Sequence, residues 1–246
     1  MRRQWDLNWR KYPHAEDIDP EGGLATVVVG FEDLDKSKPA AEYFRQWLSQ
    51  NGFSFEQQRS DPNLTEDPVM VASSGRDTVM FRDDFGYMPI RCPQGKLCAV
   101  ISDWFASSVH DVAFVGAVDH GTWRFQLKGY GTVTERVGVV TKDGYPNLYP
   151  YKFLSLRRNR RLIAKMLVSH YNHEMAEASP TMEMLEVVEE ERGKGIGRSM
   201  IELVEDKARD DGFEKIWGTD AELSMKLLKR LGYDFDLEDG VKYLWE

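Results

Sequence analysis

The residues best suited to chemistry lie in one short stretch, EERGKGIGRSM, at residues 190–200. It holds three glycines and three cations, and it separates the apolar run MEMLEVV from the amphipathic run IELVEDKA. This pattern predicts a strand, a glycine loop and then a helix. The first N–H groups of a helix have no partner inside it and lie at the positive end of its dipole. The loop therefore indicates an anion site, and its cations favour a diphosphate or triphosphate over a single carboxylate.

Two common nucleotide motifs do not match this loop. A P-loop needs Gly-Lys followed by Ser or Thr, and no Gly-Lys pair here has that neighbour. The dinucleotide pattern GxGxxG fails because Arg198 or Met200 falls where the last glycine should be. The pattern that does match is [Arg/Gln]-x-x-Gly-x-[Gly/Ala], read as RGKGIG at residues 192–197.

This loop resembles the acyl-CoA loop of the GNAT N-acyltransferase superfamily. The resemblance extends over residues 181–246: FEKIWGT is similar to the family's fifth strand, DAELSMKLLKRLGYDF to its fourth helix and following turn, and the last residues to its closing hairpin. It implies an α/β fold of the α+β kind, with a GNAT-like mixed sheet whose central strands splay apart between flanking helices. Periodicity alone leaves RRLIAKMLVSHY open between helix and strand. The resemblance favours a third strand that pairs with MEMLEVV.

The resemblance also implies which residues bind acetyl-CoA, the expected cosubstrate. Val187 and Val188 on the fourth strand would offer backbone groups to the pantetheine. The loop would hold the pyrophosphate through its main-chain amides, and its residues are Arg192, Gly193, Lys194, Gly195, Ile196, Gly197 and Arg198.

The expected reaction is direct attack of an amine on the thioester, which needs a base because an ammonium with a pKa of about 10 must first lose a proton. Glu186 on the fourth strand is the first candidate base, and Asp220 after the fifth strand is the second. Many relatives have a tyrosine general acid where this chain has Leu228. Three alternatives follow: Ser224 or Tyr171 donates the proton, the enzyme works without a donor, or the domain binds acyl-CoA without turning it over.

We therefore expect an acyl-CoA-dependent N-acyltransferase, and specifically an N-acetyltransferase. The alternative is a catalytically silent GNAT-like module that binds acyl-CoA or acts as a scaffold. Residues 181–246 hold 10 Lys and Arg against 18 Asp and Glu, which is −8 of the chain's net charge of −9. This field favours an amine acceptor on a cationic small molecule or a protein and disfavours nucleic acid. The basic cluster RRNRR at residues 157–161 carries a third, weaker alternative, an acyltransferase that acts on nucleic acid.

The rest of the chain must position this site. We expect an N-terminal α/β extension rich in β at residues 1–95 and a GNAT-like domain at residues 96–246. In the extension, LATVVVGF predicts a strand and PAAEYFRQWLSQNGF predicts a helix. The polar residues 56–68 predict a loop. Several short apolar runs after residue 68, KLCAVISDWF among them, predict a mostly β middle.

The sequence favours no metal site and no membrane span. Cys92 and Cys98 lack the spacing of a zinc site and are expected to be buried thiols. His170 and His173 lie beside Glu174, but HExxH and HxxEH are both absent. No run approaches the roughly 18 apolar residues that a bilayer requires, so a cytoplasmic protein is expected.

Overall fold

The structure is a computed structural model, and it describes residues 18–20, 22–56, 69–83, 86–142, 145–169, 179–218, 222–235 and 240–245. The chain divides into two compact units, Met1–Gly121 with Val137–Pro150 and Thr122–Arg136 with Tyr151–Glu246. Residues 96–121 thus lie in the first unit, although the sequence analysis assigns them to the second domain. The separate roles of residues 1–95 and 96–246 stay a prediction.

The first unit begins with the short strand β1 (Ile18–Asp19), which pairs with residues 139–140 of a second sheet. Its further elements are β2 (Leu24–Phe31), α1 (Ser37–Gln50), β3 (Ser54–Phe55), β4 (Met70–Ser74), β5 (Asp77–Phe81), β6 (Tyr87–Pro93), α2 (Lys96–Ser108) and β7 (Val112–Asp119). Apart from β1, its strands form an antiparallel sheet in the order β3-β4-β5-β6-β2-β7. The predicted strand LATVVVGF is β2, whose β-branched side chains suit a central strand buried on both faces.

The core of the first unit is an aromatic cluster around Phe44, which is fully buried. Its ring centroid lies 5.0 Å from that of Phe81, 5.1 Å from that of Phe105 and 5.7 Å from that of Trp104. Phe44 lies on α1, the helix predicted from the spacing of its apolar residues, which ends at Asn51 as expected. Buried aromatic side chains contribute strongly to such a core, so these contacts hold both helices against the sheet.

One run of the middle region is a helix and not a strand. KLCAVISDWF forms most of α2, whose buried residues are Cys98, Ile101 and Phe105. Their spacing of three and four is helical, but the stretch at residues 97–101 is continuously apolar, and so its period is hard to distinguish from that of a buried strand. Gly95 precedes the helix with φ 88°, a conformation that favours glycine. Cys92 and Cys98 are free, buried thiols, as predicted.

The second sheet follows the order β1-β9-β10-β11-β12-β13-β14, with β8 beside β9. Its further elements are β8 (Gly121–Leu127), β9 (Gly131–Lys142), β10 (Tyr145–Arg158), β11 (Arg161–Ser169), β12 (Thr181–Val187), a 3-10 turn (Glu189–Glu191), α3 (Ile196–Asp210), β13 (Lys215–Gly218), α4 (Glu222–Arg230) and β14 (Gly240–Tyr243). RRLIAKMLVSHY is thus a strand over residues 161–169, and it pairs antiparallel with β12 as predicted. The predicted mixed α/β fold is confirmed.

The basic cluster RRNRR closes the hairpin between β10 and β11. Arg158 faces Arg161 across the hairpin, and Asn159 and Arg160 between them have φ 50° and 65°. Two successive residues with positive φ are typical of a type I′ turn, whose twist matches that of the flanking strands. The cluster therefore lies at one end of the second unit's sheet.

Among the described residues, no helix is both long and apolar enough to cross a membrane. The same residues contain no group of three His, Cys, Asp or Glu side chains that could hold a metal ion. His170, His173, Glu174 and most of the predicted loop at residues 56–68 lie outside the described residues.

Candidate active site

The site begins where β12 separates from β13. The two strands are parallel, and they pair only at Thr181 with Trp217 and at Met182 with Gly218. On its other side β12 stays paired with β11 up to Val187. From residue 183 onwards β12 thus has a neighbour on one side only within the described part of the chain, which is the splay that the family resemblance implies.

A β-bulge accounts for the separation. Leu167 of β11 pairs with Met184, and the next residue, Val168, pairs with Met182, so Glu183 is an extra residue in β12. An extra residue bends its strand and increases the local twist. Because the bulge lies directly after the last pair with β13, it turns the rest of β12 away from that strand.

The backbone groups at the end of β12 divide between the two sides of the strand. The N–H of Val188 donates to the carbonyl of Ile163 on β11, at 3.0 Å. Alternate residues of a strand direct their backbone groups to opposite neighbours, so those of Val187 point to the open edge. There the carbonyl of Val187 accepts a hydrogen bond from the side chain of Arg192, at 3.1 Å.

The glycine loop connects this edge to α3. Gly193 and Gly195 have φ 76° and 82°, in the left-handed region, and Gly195 is the N-cap of α3. Within the described part of the chain, the amides of residues 193–198 donate no hydrogen bond to protein. Six consecutive N–H groups without a partner, gathered at a helix N-terminus by two left-handed glycines, form a concave donor surface for an anion.

Gly197 lies where the first turn of α3 packs closely against α4. A Cβ at this position would lie 3.2 Å from a methyl of Leu227 on α4, and 3.5 Å from a methyl of Leu185 on β12, which is an ordinary contact distance. Ile196 beside it is buried. The first turn of the helix therefore rests on apolar side chains.

The cations of the loop already have partners. Lys194 lies 3.2 Å from Glu191, and Arg198 lies 2.7 Å from Glu202. The hydrogen bond from Lys194 and the nearby guanidinium of Arg158 hold the pKa of Glu191 below its usual value. The side chains of Lys194 and Arg198 are 55% and 64% exposed, so both positive charges stay accessible to solvent beside the loop.

The face of β12 opposite α3 carries two carboxylates. Glu186 forms an ion pair with Lys165 of β11, at 3.4 Å, and Glu183 accepts a hydrogen bond from Ser169, at 2.7 Å. Lys165 and Ser169 are four residues apart on one strand, so their side chains and both carboxylates share a face. Tyr151 lies opposite Ser169 on β10, and burial and the charge of Glu183 raise its pKa to about 12.

Glu183 is the residue that the sequence analysis missed. In a regular strand, residues 183 and 186 would point to opposite faces, since their spacing is odd. The bulge at Glu183 brings both to the same face, and no pattern in MEMLEVV indicates a bulge. The available sign that Glu183 could belong to the site was that it is a second acidic residue, beside Glu186, in an otherwise apolar strand.

Leu228 lies at the base of the splay. Its side chain is buried, and a Cβ at Gly218 would lie 2.7 Å from one of its methyls. Gly218 forms the last pair with Met182, so Leu228 packs where the two strands part. Asp220 and Tyr171 lie outside the described residues, and Ser224 belongs to α4 but its side chain is not described; their predicted roles stay predictions.

A split pair of parallel strands leading into a glycine-bearing helix N-terminus is the main feature of the second unit. Residues 123–233 match the sequence model of the acetyltransferase (GNAT) family. The resemblance seen in the loop is thus confirmed.

Three solved structures give partial likenesses. An N-acetyltransferase from Staphylococcus aureus Mu50 is 16% identical, with a TM-score of 0.31, over 38% of this chain and 68% of its own. The ribosomal-protein-S18-alanine N-acetyltransferase from Escherichia coli is 16% identical, with a TM-score of 0.29, over 37% and 64%. A mutant form of a cAMP-binding acyltransferase from Mycobacterium smegmatis is 9% identical, with a TM-score of 0.35, over 92% and 74%. No curated protein matches the chain.

The two left-handed glycines provide a matched pair of substitutions. Gly193→Ala introduces a Cβ into open space, whereas in Gly195→Ala the Cβ lies 3.0 Å from the hydroxyl oxygen of Tyr130. We expect Gly193→Ala to lower the free energy of unfolding by about 1 kcal/mol through backbone strain alone. Gly195→Ala should lower it further, because the hydroxyl must also move. Urea unfolding measures both, with Gly22→Ala as the control, since Gly22 has open space and no positive φ. Equal losses in Gly193→Ala and Gly22→Ala would contradict the strained loop.

Proposed function

We propose that the second unit is an acyl-CoA-dependent N-acyltransferase that moves an acetyl group from acetyl-CoA to a primary amine by direct attack. The observation that carries this proposal is the row of amides at residues 193–198, which has no partner among the described residues. A row of this kind suits the two linked phosphates of a coenzyme. The GNAT family match over residues 123–233 supports the same activity.

The residues present fit acetyl-CoA. The loop amides of residues 193–198 would hold the pyrophosphate, with Lys194 and Arg198 adding positive charge beside it. At the open edge of β12, the N–H of Val187 would donate a hydrogen bond to an extended pantetheine, as it would to a neighbouring strand. Val188 contributes by holding this end of β12 to β11 through its N–H. When bound, the coenzyme supplies an activated thioester for acyl transfer.

The chain's own groups then act on the acceptor. A carboxylate on the face opposite α3 takes the proton that the ammonium must lose, and the thioester and amine react when held together in the split. A backbone N–H of the open edge stabilises the negative charge that develops on the carbonyl oxygen. Glu186 remains the proposed base, and Asp220 is the second candidate. Glu183 is a third, because Ser169 fixes its carboxylate beside the bulge.

The acceptor is proposed to be cationic, either a small molecule or an amine of a protein. The motivation is the charge of residues 181–246, where Asp and Glu outnumber Lys and Arg by eight. Such a field attracts a cationic substrate and repels nucleic acid. Ser224 is kept as the proposed proton donor to the departing thiolate. A thiol pKa near 8.5 also allows the thiolate to leave without a proton.

One observation favours a second candidate, a silent module that binds acyl-CoA without turnover. Leu228 occupies the position where the family usually has its tyrosine general acid, and it is buried against Gly218. An apolar side chain at the base of the split cannot donate a proton. Binding without thiol release in the presence of amines would select this alternative.

Coenzyme binding is tested by a pair of substitutions at one position. Gly193→Asp places a carboxylate in the open space beside the donor surface, whereas Gly193→Ala introduces the same backbone strain without charge. A ligand that binds the native state raises the melting temperature, by an amount that grows with ligand concentration. We expect CoA and acetyl-CoA to raise it for the wild type and for Gly193→Ala, and to have no effect on Gly193→Asp. Equal shifts in all three proteins would place the coenzyme elsewhere.

The carboxylates are tested by thiol release with a panel of amines. Loss of a general base typically costs about 10² to 10⁴ in rate. We expect Glu186→Gln to lower kcat by such a factor while the KM for acetyl-CoA stays unchanged. Glu183→Gln is measured in parallel, because the two carboxylates share a face. A large effect of Glu183→Gln with none of Glu186→Gln would transfer the role to Glu183, and no effect of either would leave Asp220.

A further inference from the structure

Two features of the second unit have no part in the reaction described above. One is Tyr130, in the turn between β8 and β9, and the other is the basic cluster RRNRR. We propose that Tyr130, Arg158, Glu191 and Lys194 form a closed ring of hydrogen bonds that positions the anion loop, with Tyr130 as its positioning residue. This inference rests on the proposed function, since it assigns the ring to acyl-CoA binding.

Four contacts close the ring. The hydroxyl of Tyr130 donates to the backbone carbonyl of Lys194, at 3.2 Å, and the ammonium of Lys194 donates to Glu191, also at 3.2 Å. Arg158 donates to Glu191 through Nη1, at 3.3 Å, and to the backbone carbonyl of Tyr130 through Nε, at 3.0 Å. The ring thus joins the β8–β9 turn, the end of β10, the 3-10 turn and the loop itself.

The contact with the carbonyl of Lys194 controls the direction of a loop amide. A trans peptide unit is planar, and its C=O and N–H point in opposite directions. When Tyr130 holds the carbonyl of Lys194, it therefore also fixes the N–H of Gly195. That N–H is one of the six that have no partner among the described residues, and Gly195 has a backbone freedom that other residues lack. Without the hydroxyl, this peptide could rotate away from the anion.

The ring also resolves an electrostatic problem. Glu191 places a carboxylate, only 14% exposed, directly before a loop proposed to bind phosphates. Alone, its charge would repel the anion. Arg158 and Lys194 both contact this carboxylate, and their two positive charges leave the ring net positive. Charge-assisted hydrogen bonds of this kind are also stronger than neutral ones, so they stiffen the loop.

The basic cluster thereby receives a role that does not involve nucleic acid. Arg158 belongs to the ring, and Arg161 forms an ion pair with Glu190, at 3.2 Å. The side chain of Arg157 donates to the carbonyl of Arg160 inside the hairpin, at 3.2 Å. Three of the four arginines therefore hold the hairpin together or tie it to the segment that precedes the loop.

The test compares CoA affinity in four proteins by calorimetry: wild type, Tyr130→Phe, Glu191→Gln and the double variant. Loss of one hydrogen bond of about 0.5 to 1.5 kcal/mol corresponds to a rise of roughly two- to tenfold in Kd. We expect Tyr130→Phe to raise Kd by such a factor, and Glu191→Gln to raise it by less, because loss of this carboxylate also removes its repulsion of the phosphates. The double variant should raise it by less than the product of the two, because links of one ring are coupled. Tyr43→Phe, at an exposed tyrosine of the first unit, is the matched control and should bind as wild type.

Positioning is separated from general stability by two further readouts. In steady-state kinetics Tyr130→Phe should raise the KM for acetyl-CoA and leave kcat unchanged, since the hydroxyl does not contact the reacting atoms. A purely structural role would lower the melting temperature and leave the Kd for CoA as in the wild type. That result, or multiplicative effects in the double variant, would overturn the ring.

Failure of the ring is distinguishable from failure of the proposed function. If the wild type binds CoA and Tyr130→Phe binds equally well, the ring is wrong and the function stands. If the wild type does not bind CoA, the function is wrong, and NMR order parameters of the backbone amides, measured without ligand, still test the ring. Lower order parameters at residues 194–197 in Tyr130→Phe than in Tyr43→Phe support the positioning of the loop, and equal order parameters overturn it.

Discussion

The site depends on the separation of β12 from β13 after only two residue pairs. A strand that loses its neighbour exposes backbone N–H and C=O groups, which must find another partner. Here the bulge at Glu183 causes the separation, and the side chain of Arg192 takes over one of the exposed carbonyls. The remaining open edge is a place where an extended ligand can bind as a strand would. The carboxylates Glu183 and Glu186 and the glycine loop both lie beside this edge, which is why the proposed reaction is placed there.

The loop needs a rigid support, since its donor surface exists only while both glycines keep the left-handed conformation. On the side of the helix, the packing of α3 gives this support. Glu205, a buried carboxylate of this helix, accepts hydrogen bonds from Tyr233 at 3.1 Å and from Lys242 at 2.8 Å. Burial of the phenol and the adjacent charge of Glu205 raise the pKa of Tyr233, which stays a hydrogen-bond donor. A buried charge that is paired in this way fixes the register of the helix against β14.

Much of the site could be predicted from the sequence, because its information is local. Three glycines spaced by two, with a strand before and a helix after, specify the loop and its position at a helix N-terminus. The choice of a strand for RRLIAKMLVSHY needed the family resemblance, since its apolar positions suit both periods. The five successive apolar residues LCAVI within KLCAVISDWF concealed the helical spacing of α2.

The other features of the site depend on contacts between residues that are distant in the sequence, and no local pattern predicts them. The bulge that brings Glu183 and Glu186 to one face depends on pairing with β11, which residues 181–187 alone do not encode. Likewise, Tyr130 and Lys194 are 64 residues apart, and only the folded sheet brings them into contact. The positive charge of the basic cluster RRNRR was evident from the sequence, but its ion pairs with Glu190 and Glu191 were not.

The central claim is that the amides at residues 193–198 bind the pyrophosphate of acyl-CoA, and a CoA titration followed by amide NMR tests it most directly. Hydrogen bonds from these amides to phosphate should shift their resonances strongly and saturably, with smaller shifts along the open edge of β12. The first unit should be unaffected. Saturable binding that leaves the amides of residues 193–198 unshifted would contradict the account.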